Sequence, residues 1–264
     1  MIVFPCGQCV EQEYNQFFQK NLVEIYYQPI LDEYLSIVCF EQLMRVKCRC
    51  GKIFSPDHFK PLLTENTLHK KVTALCLESA EKFIKKYDGR YSVSINISQV
   101  DINNKVFLDQ LKEISKKTPR IPKNIILEIS ERMKVNKNIV EKIKRLINYG
   151  YKFSLDDFFS EHSTLLPVID IDLYGIKIDK GMLVNFSSNL KTQALIEAII
   201  YYCKRMQIYC YAEGVETINA FYELKGMGVR RFQGFFCSPA VSFDQLDKLI
   251  EGWNRRYVAG HTHE

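Results

Sequence analysis

Short runs rich in Val, Ile, Tyr and Phe alternate with longer helical runs along most of the chain. The short runs predict eight strands, at residues 26–30, 36–44, 91–97, 124–129, 152–156, 175–178, 208–212 and 231–235. In the runs between them, apolar residues recur at spacings of three and four, which indicates amphipathic helices such as those over residues 59–87 and 139–147. Eight strands with intervening helices in 264 residues predict an α/β fold, a (β/α)8 barrel of the TIM type.

The first strand is expected to depart from the regular barrel. Only a short turn around Asp32 and Glu33 separates it from the second strand, and a short turn links antiparallel neighbours. We therefore predict a modified barrel with an antiparallel first strand, occupying residues 25–255. Residues 1–24 are expected to form a leader, helical over residues 10–23, and residues 256–264 a flexible tail.

Composition narrows the class of protein. Hydrophobic residues make up 47% of the chain and charged residues 25%, which excludes disordered and collagen-like classes. The formal charge of +5 comes from lysines scattered over several segments, so no clustered basic patch indicates nucleic-acid binding. No apolar run approaches the ~18 residues that span a bilayer, and the N-terminus does not have the pattern of a signal peptide. We predict a cytoplasmic protein with neither a nucleic acid nor a membrane as partner.

The cysteines are scattered rather than arranged as in a small secreted protein. Their number, nine, is odd, which favours reduced thiols in a cytosolic protein. Two closely spaced pairs, Cys6-x-x-Cys9 and Cys48-x-Cys50, could together supply four thiolates to zinc. The alternative is that these four are ordinary buried or surface thiols.

Polar residues that are unusual in a buried strand stand near the ends of seven of the eight predicted strands. They are Glu41, Asn96, Glu128, the pair Asp156-Asp157, Lys177, Glu213 and Gln233. The C-terminal ends of parallel barrel strands converge on one mouth, where such enzymes have their active sites. Carboxylate and amide oxygens suit Mg²⁺ or Mn²⁺ better than zinc, and two such ions can promote phosphoryl displacement. The alternative is that these residues belong to surface loops.

Several short motifs follow one another in a fixed order along the chain. They are Tyr27-Gln28-Pro29-Ile30, Glu41-Gln42-Leu43-Met44-Arg45, Ser55-Pro56-x-x-Phe59-x-Pro61, Val93-Ser94-Ile95-Asn96-Ile97-Ser98, Leu127-Glu128-Ile129-Ser130-Glu131, Asp156-Asp157-Phe158, Ile176-Lys177-Ile178-Asp179, Ala212-Glu213-Gly214-Val215-Glu216-Thr217 and Gln233-Gly234-Phe235. In type and order these motifs resemble those of the EAL-domain family of cyclic di-GMP phosphodiesterases, whose signature Glu-Ala-Leu-x-Arg corresponds to residues 41–45 with Gln42 in place of Ala. The resemblance implies hydrolysis of cyclic di-GMP to linear 5′-pGpG with two Mg²⁺ or Mn²⁺ ions.

The resemblance also implies a role for each matching residue. The implied metal ligands are Glu41, Asn96, Glu128, Asp156 and Asp157, with Asp156 bridging the two ions. Glu213 would act as general base or outer metal ligand, and Lys177 would orient the attacking water. The implied substrate contacts are Gln28, Leu43, Arg45 and Gln233. Glu131 would anchor the loop that follows the fifth strand.

That loop departs from the family pattern. The family has Asp-Asp-Phe-Gly-Thr-Gly, whereas Phe159 and Glu161 replace both glycines here. Glycine serves where φ is positive or where backbone approaches closely, so the loop is expected to take another shape. In the family it orders the second metal and contributes to a homodimer. Two functions therefore stay open: a metal-dependent phosphodiesterase, or a degenerate domain that binds cyclic di-GMP or a regulatory protein partner without turnover.

Overall fold

The structure, a computed structural model, describes residues 2–3, 10–11, 23–47, 50–55, 66–130, 133–158, 169–184 and 186–258. Its strands are β1 (Ile2–Val3), β2 (Val10–Glu11), β3 (Val23–Asp32), β4 (Ile37–Lys47), β5 (Ile53–Phe54), β6 (Ser92–Ile97), β7 (Ile125–Ser130), β8 (Lys152–Phe158), β9 (Gly175–Ile178), β10 (Tyr209–Ala212), β11 (Arg231–Gln233) and β12 (Val241–Ser242). Its α-helices are α1 (Asn66–Lys86), α2 (Gln99–Asn103), α3 (Lys105–Lys117), α4 (Lys137–Asn148), α5 (Lys180–Leu183), α6 (Leu190–Met206), α7 (Ile218–Met227) and α8 (Leu246–Trp253).

Eight strands close into a mixed barrel. Their order around it is β3-β4-β6-β7-β8-β9-β10-β11, and β11 pairs with β3 to complete the ring. The run from β4 to β11 is parallel, whereas β3 is antiparallel to both of its neighbours. The predicted α/β barrel with an antiparallel first strand is confirmed.

A tight turn between β3 and β4 explains why the first barrel strand is antiparallel to the second. The Asp32 carboxylate accepts hydrogen bonds from the backbone N–H groups of Tyr34, at 2.9 Å, and Ser36, at 2.8 Å. Leu35 between them has a φ of 62°. A turn of this length leaves no room for the crossover that a parallel pair needs. The indole N–H of Trp253 donates to the Leu35 carbonyl at 2.7 Å, so α8 secures the same turn.

Helices cover the outside of the barrel with their apolar faces. α4 is typical, because it buries Ile139, Val140, Ile143 and Leu146, which recur at helical spacing. Its N-terminus is capped by the Asn136 side chain, which accepts from the backbone N–H of Ile139 at 3.0 Å. Among the described residues, no helix is both long enough and apolar enough to cross a membrane.

A second, smaller core lies inside the barrel. It consists of Ile30, Cys39, Ile126 and Tyr211, all at most 3% exposed. Cys39 and Ile126 precede Glu41 and Glu128 by two positions on their strands, so each pair points to the same side of the sheet. We call these four apolar residues the barrel floor. It lies beneath the strand ends that carry the predicted site.

The two ends of the chain differ from the sequence prediction. Val10 and Glu11 form β2, which pairs with β1, and β3 already begins at Val23. Both ends of the helix predicted over residues 10–23 are therefore strand, in keeping with the strand preference of valine. At the other end, residues 254–258 form a π-helix, and the Tyr257 ring lies 4.2 Å from that of Trp253. The predicted tail thus starts with residues that pack on α8; the domain division itself stays a prediction.

Candidate functional site

The centre of the barrel mouth is the ammonium group of Lys177. Its Nζ lies 3.2 Å from Glu41 Oε2, 3.1 Å from Glu128 Oε2, 3.1 Å from Asp156 Oδ1 and 2.6 Å from Glu213 Oε1. The Lys177 side chain is only 1% exposed. Its four partners lie on three other strands, β4, β7 and β8, and directly after a fourth, β10. The structure therefore brings Glu41, Glu128, Asp156, Lys177 and Glu213 together, and their roles stay predictions.

Strand register does not put all of these groups at one level. Glu128 lies opposite Asn96 on β6, whereas Lys177 lies opposite Tyr211 of the barrel floor on β10, and the long side chain of Lys177 reaches up to the carboxylates. The pairing of β8 with β9 slips by one residue between Leu155 and Phe158, which is the segment that contains Asp156. The pairing of β8 with β7 stays regular, with Glu128 opposite Ser154 and Ser130 opposite Asp156. Asp156 follows Ser154 by two positions, so its side chain points to the same face of the sheet as Glu128.

Side-chain amides fix the orientation of Glu41. Asn96 Nδ2 donates to Glu41 Oε1 at 2.8 Å, and Gln233 Nε2 donates to Glu41 Oε2 at 2.6 Å. Gln233 Nε2 also lies 3.1 Å from Gln28 Oε1, and Gln28 Nε2 donates to the Ser238 carbonyl at 3.1 Å. Both carboxylate oxygens of Glu41 are thus held by a chain of hydrogen bonds that ends on the backbone.

The pKa values of the central pair favour their charged forms. Burial alone raises the pKa of Glu41, but the Lys177 ammonium and the hydrogen bonds from Gln233 and Asn96 outweigh it, so the pKa lies below its usual value. Burial likewise opposes charge on Lys177. The surrounding carboxylates, Asp156 foremost, nevertheless hold its pKa well above the ordinary value. Glu41 and Lys177 therefore form the ionised core of the cluster.

Glu128 and Glu213 are harder to ionise than Glu41. Burial raises the pKa of Glu128 well above its ordinary value, and Lys177 offsets this only in part because Glu41 and Asp156 repel a second negative charge. Burial raises the pKa of Glu213 to about 8, again against the attraction of Lys177. One ammonium cannot compensate four carboxylates in a buried space. The cluster therefore has more acidic groups than its single ammonium can neutralise.

The donor set fits a hard divalent cation in chemistry, but the side chains are not arranged around one. Asp156 Oδ1 is buried, and its 3.1 Å contact with Lys177 is an ion pair without hydrogen-bond geometry, so this oxygen has unused acceptor capacity. Within the described part of the chain, no three Asp, Glu, His or Cys side chains form a ready group of metal ligands. The ammonium of Lys177 lies between the carboxylates instead. A cation would compete with it for their oxygens.

A cleft of about 440 Å³ opens directly beside the cluster. Its lining includes six residues that we predicted for the site, which are Gln28, Glu41, Leu43, Asp156, Glu213 and Gln233. It also includes Asp179, Lys180, Glu216 and Phe235, to which we assigned no role from the sequence. All four stand in or directly after the matching motifs, and that position was the signal available for finding them.

Two glycines allow neighbouring loops in the cleft wall to approach each other closely. A β-carbon on Gly234 would lie 2.1 Å from the carbonyl oxygen of Val215, so only glycine fits this crossing of two backbones. Gly214 has a φ of +69°, and a β-carbon there would lie 2.6 Å from that of Lys180. The loops after β10 and β11 are thereby packed on each other beside Glu213 and Gln233.

Comparison with known proteins agrees with this geometry. The sequence profile of the EAL domain matches residues 11–240, which is most of the chain. The chain belongs to the EAL domain family. One relative of this EAL domain is the probable cyclic di-GMP phosphodiesterase PdeB of Escherichia coli K12, which is 28% identical over 233 residues, or 86% of this chain and 44% of the relative. The chain spans less than half the length of this and several other curated relatives.

Solved structures share the fold. The EAL enzyme Bd1971, in a form bound to cAMP and cyclic di-GMP, superposes with a TM-score of 0.80 at 25% identity and covers 89% of this chain and 66% of its own. The Bacillus subtilis YkuI protein, in complex with cyclic di-GMP and calcium, has a TM-score of 0.72 at 19% identity, covering 94% of this chain and 63% of its own. The likeness to YkuI concerns the fold alone.

Three of the predicted site residues are not placed in the site of this EAL domain. The Arg45 guanidinium is not part of the cleft lining; it donates to the Met44 carbonyl at 2.9 Å and lies 5.9 Å from the centre of the Tyr26 ring. The side chain of Asp157 and the whole of Glu131 lie outside the described residues, as does the altered loop with Phe159 and Glu161. The roles of these residues stay predictions.

Proposed function

We propose that this EAL domain hydrolyses one phosphodiester bond of cyclic di-GMP to give linear 5′-pGpG, in a reaction that needs divalent cations. The observation that carries the proposal is the convergence of four carboxylates on Lys177 beside an open cleft. The names of the relatives support the substrate, because PdeB is described as a probable cyclic di-GMP phosphodiesterase and Bd1971 was solved with cyclic di-GMP.

The excess of acid over base supports the use of metal. Glu41, Asn96, Glu128 and Asp156 would hold Mg²⁺ or Mn²⁺ through hard oxygen atoms, and Asp157 would add a ligand for a second ion. A bound divalent cation supplies an activated water and neutralises charge on the phosphate. The unused acceptor capacity of Asp156 Oδ1 fits this assignment.

Glu213 would carry out the proton transfer, and Lys177 would position the attacking water. The raised pKa of Lys177 keeps its ammonium charged, so it can hold an attacking water or a phosphate oxygen but not accept a proton. Glu213, with a pKa of about 8, accepts and returns protons near neutral pH, which is what a general base requires. Its Oε1 lies 2.6 Å from Lys177 Nζ, so both groups can reach one water.

The cleft offers complementary groups for a cyclic dinucleotide. Phe235 is 68% exposed at its edge, and an open aromatic ring can stack on a guanine base. Lys180 supplies a positive charge for a phosphate. Gln28 on β3 and Leu43 on β4 also line the cleft, where we propose that they contact the substrate.

A second function is favoured by a specific observation. The ammonium of Lys177 contacts the same carboxylates that a cation would need, at distances of 2.6 to 3.2 Å. Together with the replacement of both loop glycines, this favours a domain that binds cyclic di-GMP, or a regulatory protein partner, without hydrolysis. The homodimer and the cytoplasmic location predicted from the sequence also stay proposals.

The test is an assay of the purified chain with cyclic di-GMP and either Mg²⁺ or Mn²⁺, followed by chromatography of the nucleotides. We expect 5′-pGpG with at least one metal and none after addition of a chelator. The variant Glu41→Gln keeps the size of the side chain but removes the buried charge that is held by Asn96 and Gln233. It should bind cyclic di-GMP without turnover. Intact substrate with both metals, while calorimetry shows binding by the unaltered chain, would establish the second function instead.

A further inference from the structure

A groove of about 320 Å³ lies between α3 and α4 on the outside of the barrel. On α3 its lining positions run from Lys105 to Lys112. On α4 they begin at Lys142, and Tyr149 follows directly after the helix. Seven residues of α-helix rise about 10 Å, so the groove is about two helical turns long. It shares no residue with the cleft beside Lys177.

Cations dominate the charge of this groove. Its basic side chains are Lys105, Lys112, Lys142 and Arg145, and the acidic residue of the lining is Asp109. In the part of the chain that the structure describes, none of the four cations has an ion pair with a carboxylate; the Lys142 ammonium donates to Asn103 Oδ1 at 2.7 Å. Lys116, one turn further along α3 and outside the groove, does pair with Glu113, at 3.1 Å. The positive charge of the groove is therefore left for a ligand to neutralise.

The bottom of the groove is apolar. The Leu146 side chain is 1% exposed, and Leu108 and Tyr149 are half-buried against the main hydrophobic core. Both helices thus contribute apolar side chains to the groove and cations beside them. A small hydrated anion would contact the cations but leave this apolar strip uncovered. An occupant that matches both features needs an apolar face with acidic groups along it.

We propose that the groove between α3 and α4 is a docking site for an acidic amphipathic helix of a partner protein. A helix that lies in such a groove buries an apolar face whose residues recur at spacings of three, four and seven. Glutamate or aspartate side chains beside that face would pair with the four cations of the groove. Two turns of such a helix match the length of the groove. The proposal does not depend on phosphodiesterase activity, because no residue of the barrel mouth lines the groove.

Two other classes of anionic partner fit the groove less well. A nucleic acid presents hydrated phosphates to lysine and arginine, and this kind of binding gains little from an apolar strip. An anionic membrane surface is flat, whereas these side chains line a groove between two helices. A protein helix uses both the charge and the shape.

The first experiment titrates the full chain into a fluorescein-labelled helical peptide of about 15 residues, with leucines on one face and glutamates on both sides of that face. We expect saturable binding by fluorescence polarisation, which weakens as the ionic strength rises because salt screens the charge pairs. A peptide with alanine in place of leucine, and a peptide with glutamine in place of glutamate, should each bind at least about tenfold more weakly. In ¹⁵N NMR spectra, the largest shifts should occur at Leu108, Leu146 and Tyr149.

Matched charge reversals locate the binding surface. Lys112→Glu combined with Arg145→Glu should weaken binding of the leucine–glutamate peptide at least about tenfold. Lys191→Glu combined with Lys248→Glu makes the same change in net charge at exposed positions outside the groove, and should leave binding unchanged. All four side chains are exposed, and circular dichroism checks that both double variants keep the fold.

Three results would overturn the proposal. The first is a leucine–glutamate peptide that does not bind, binds both double variants equally well, or binds no better than the alanine peptide. The second is a single-stranded oligonucleotide, or a vesicle of phosphatidylserine, that binds more tightly than the peptide and loses affinity only when the groove cations are reversed. The third is self-association of the chain, measured by sedimentation, that the groove variant abolishes, because the occupant would then be a second copy.

Discussion

The mouth and the floor of the barrel interior are built from the same strands, but charged side chains fill the mouth and apolar side chains fill the floor. At the floor, Cys39 and Ile126 are packed among apolar side chains. Two positions further along the same strands, Glu41 and Glu128 are equally buried but contact the ammonium of Lys177. Burying apolar groups stabilises a fold, whereas a buried ionic cluster is weak support for stability because of the cost of desolvation. The comparison indicates that the floor serves folding, whereas the mouth is a buried ionic cluster whose presence stability does not explain.

The largest effect is expected at the centre of the mouth. Lys177→Met removes the one ammonium that contacts all four carboxylates, so like charges are left buried without compensation. We expect loss of hydrolysis and a fall of about 3–5 kcal/mol in the free energy of unfolding without metal. Urea denaturation at pH 8 measures the second quantity. Unchanged stability would contradict the assignment of Lys177 as the charge that holds the mouth together.

Removal of the hydrogen bonds that orient Glu41 should affect activity more than folding. Gln233→Ala removes the donors to Glu41 and Gln28, and partners of this kind typically change activity or metal affinity about 10–100-fold. We expect a loss of turnover in this range, measured as initial rates of 5′-pGpG formation at saturating metal. Wild-type rates in this variant would show that Glu41 does not need this orientation.

The pH dependence of stability tests the raised pKa of Glu213. Its pKa lies near 4.5 unfolded and at about 8 in the fold, so folding favours the protonated form and loses stability as pH rises through this range. Without metal, the melting temperature should therefore be lower at pH 8.5 than at pH 5.5. Glu213→Gln should reduce this difference. An equal pH dependence in both proteins would contradict the assignment.

The smallest effect is expected at the floor. Ile126→Val deletes one methylene group from the barrel floor and should cost about 0.5–1.5 kcal/mol of unfolding free energy. Turnover should be unchanged, because the substitution removes no group from the mouth. A loss of turnover comparable to that of Gln233→Ala would show that mouth and floor are not separable.

The sequence was sufficient to predict the barrel, its reversed first strand and the convergence of Glu41, Glu128, Asp156, Lys177 and Glu213. Each of these follows from local pattern or from the rule that parallel strand ends meet. The position of the Lys177 ammonium between the acids was not predictable, since it depends on how far a long side chain extends beyond the level of Tyr211, its neighbour across the sheet. The exposure of Phe235 and the position of the Arg45 guanidinium near the Tyr26 ring likewise depend on side-chain packing that the periodicity of the sequence does not encode.

The most direct test of the central claim is the reaction of the unaltered chain with cyclic di-GMP and Mn²⁺ in ¹⁸O-labelled water. Mass spectrometry of the product reports whether water attacked phosphorus. The account predicts 5′-pGpG that carries a single ¹⁸O on its terminal phosphate, formed by the unaltered chain but not by Glu41→Gln. Cyclic di-GMP that stays intact, or is converted equally by both proteins, would contradict it.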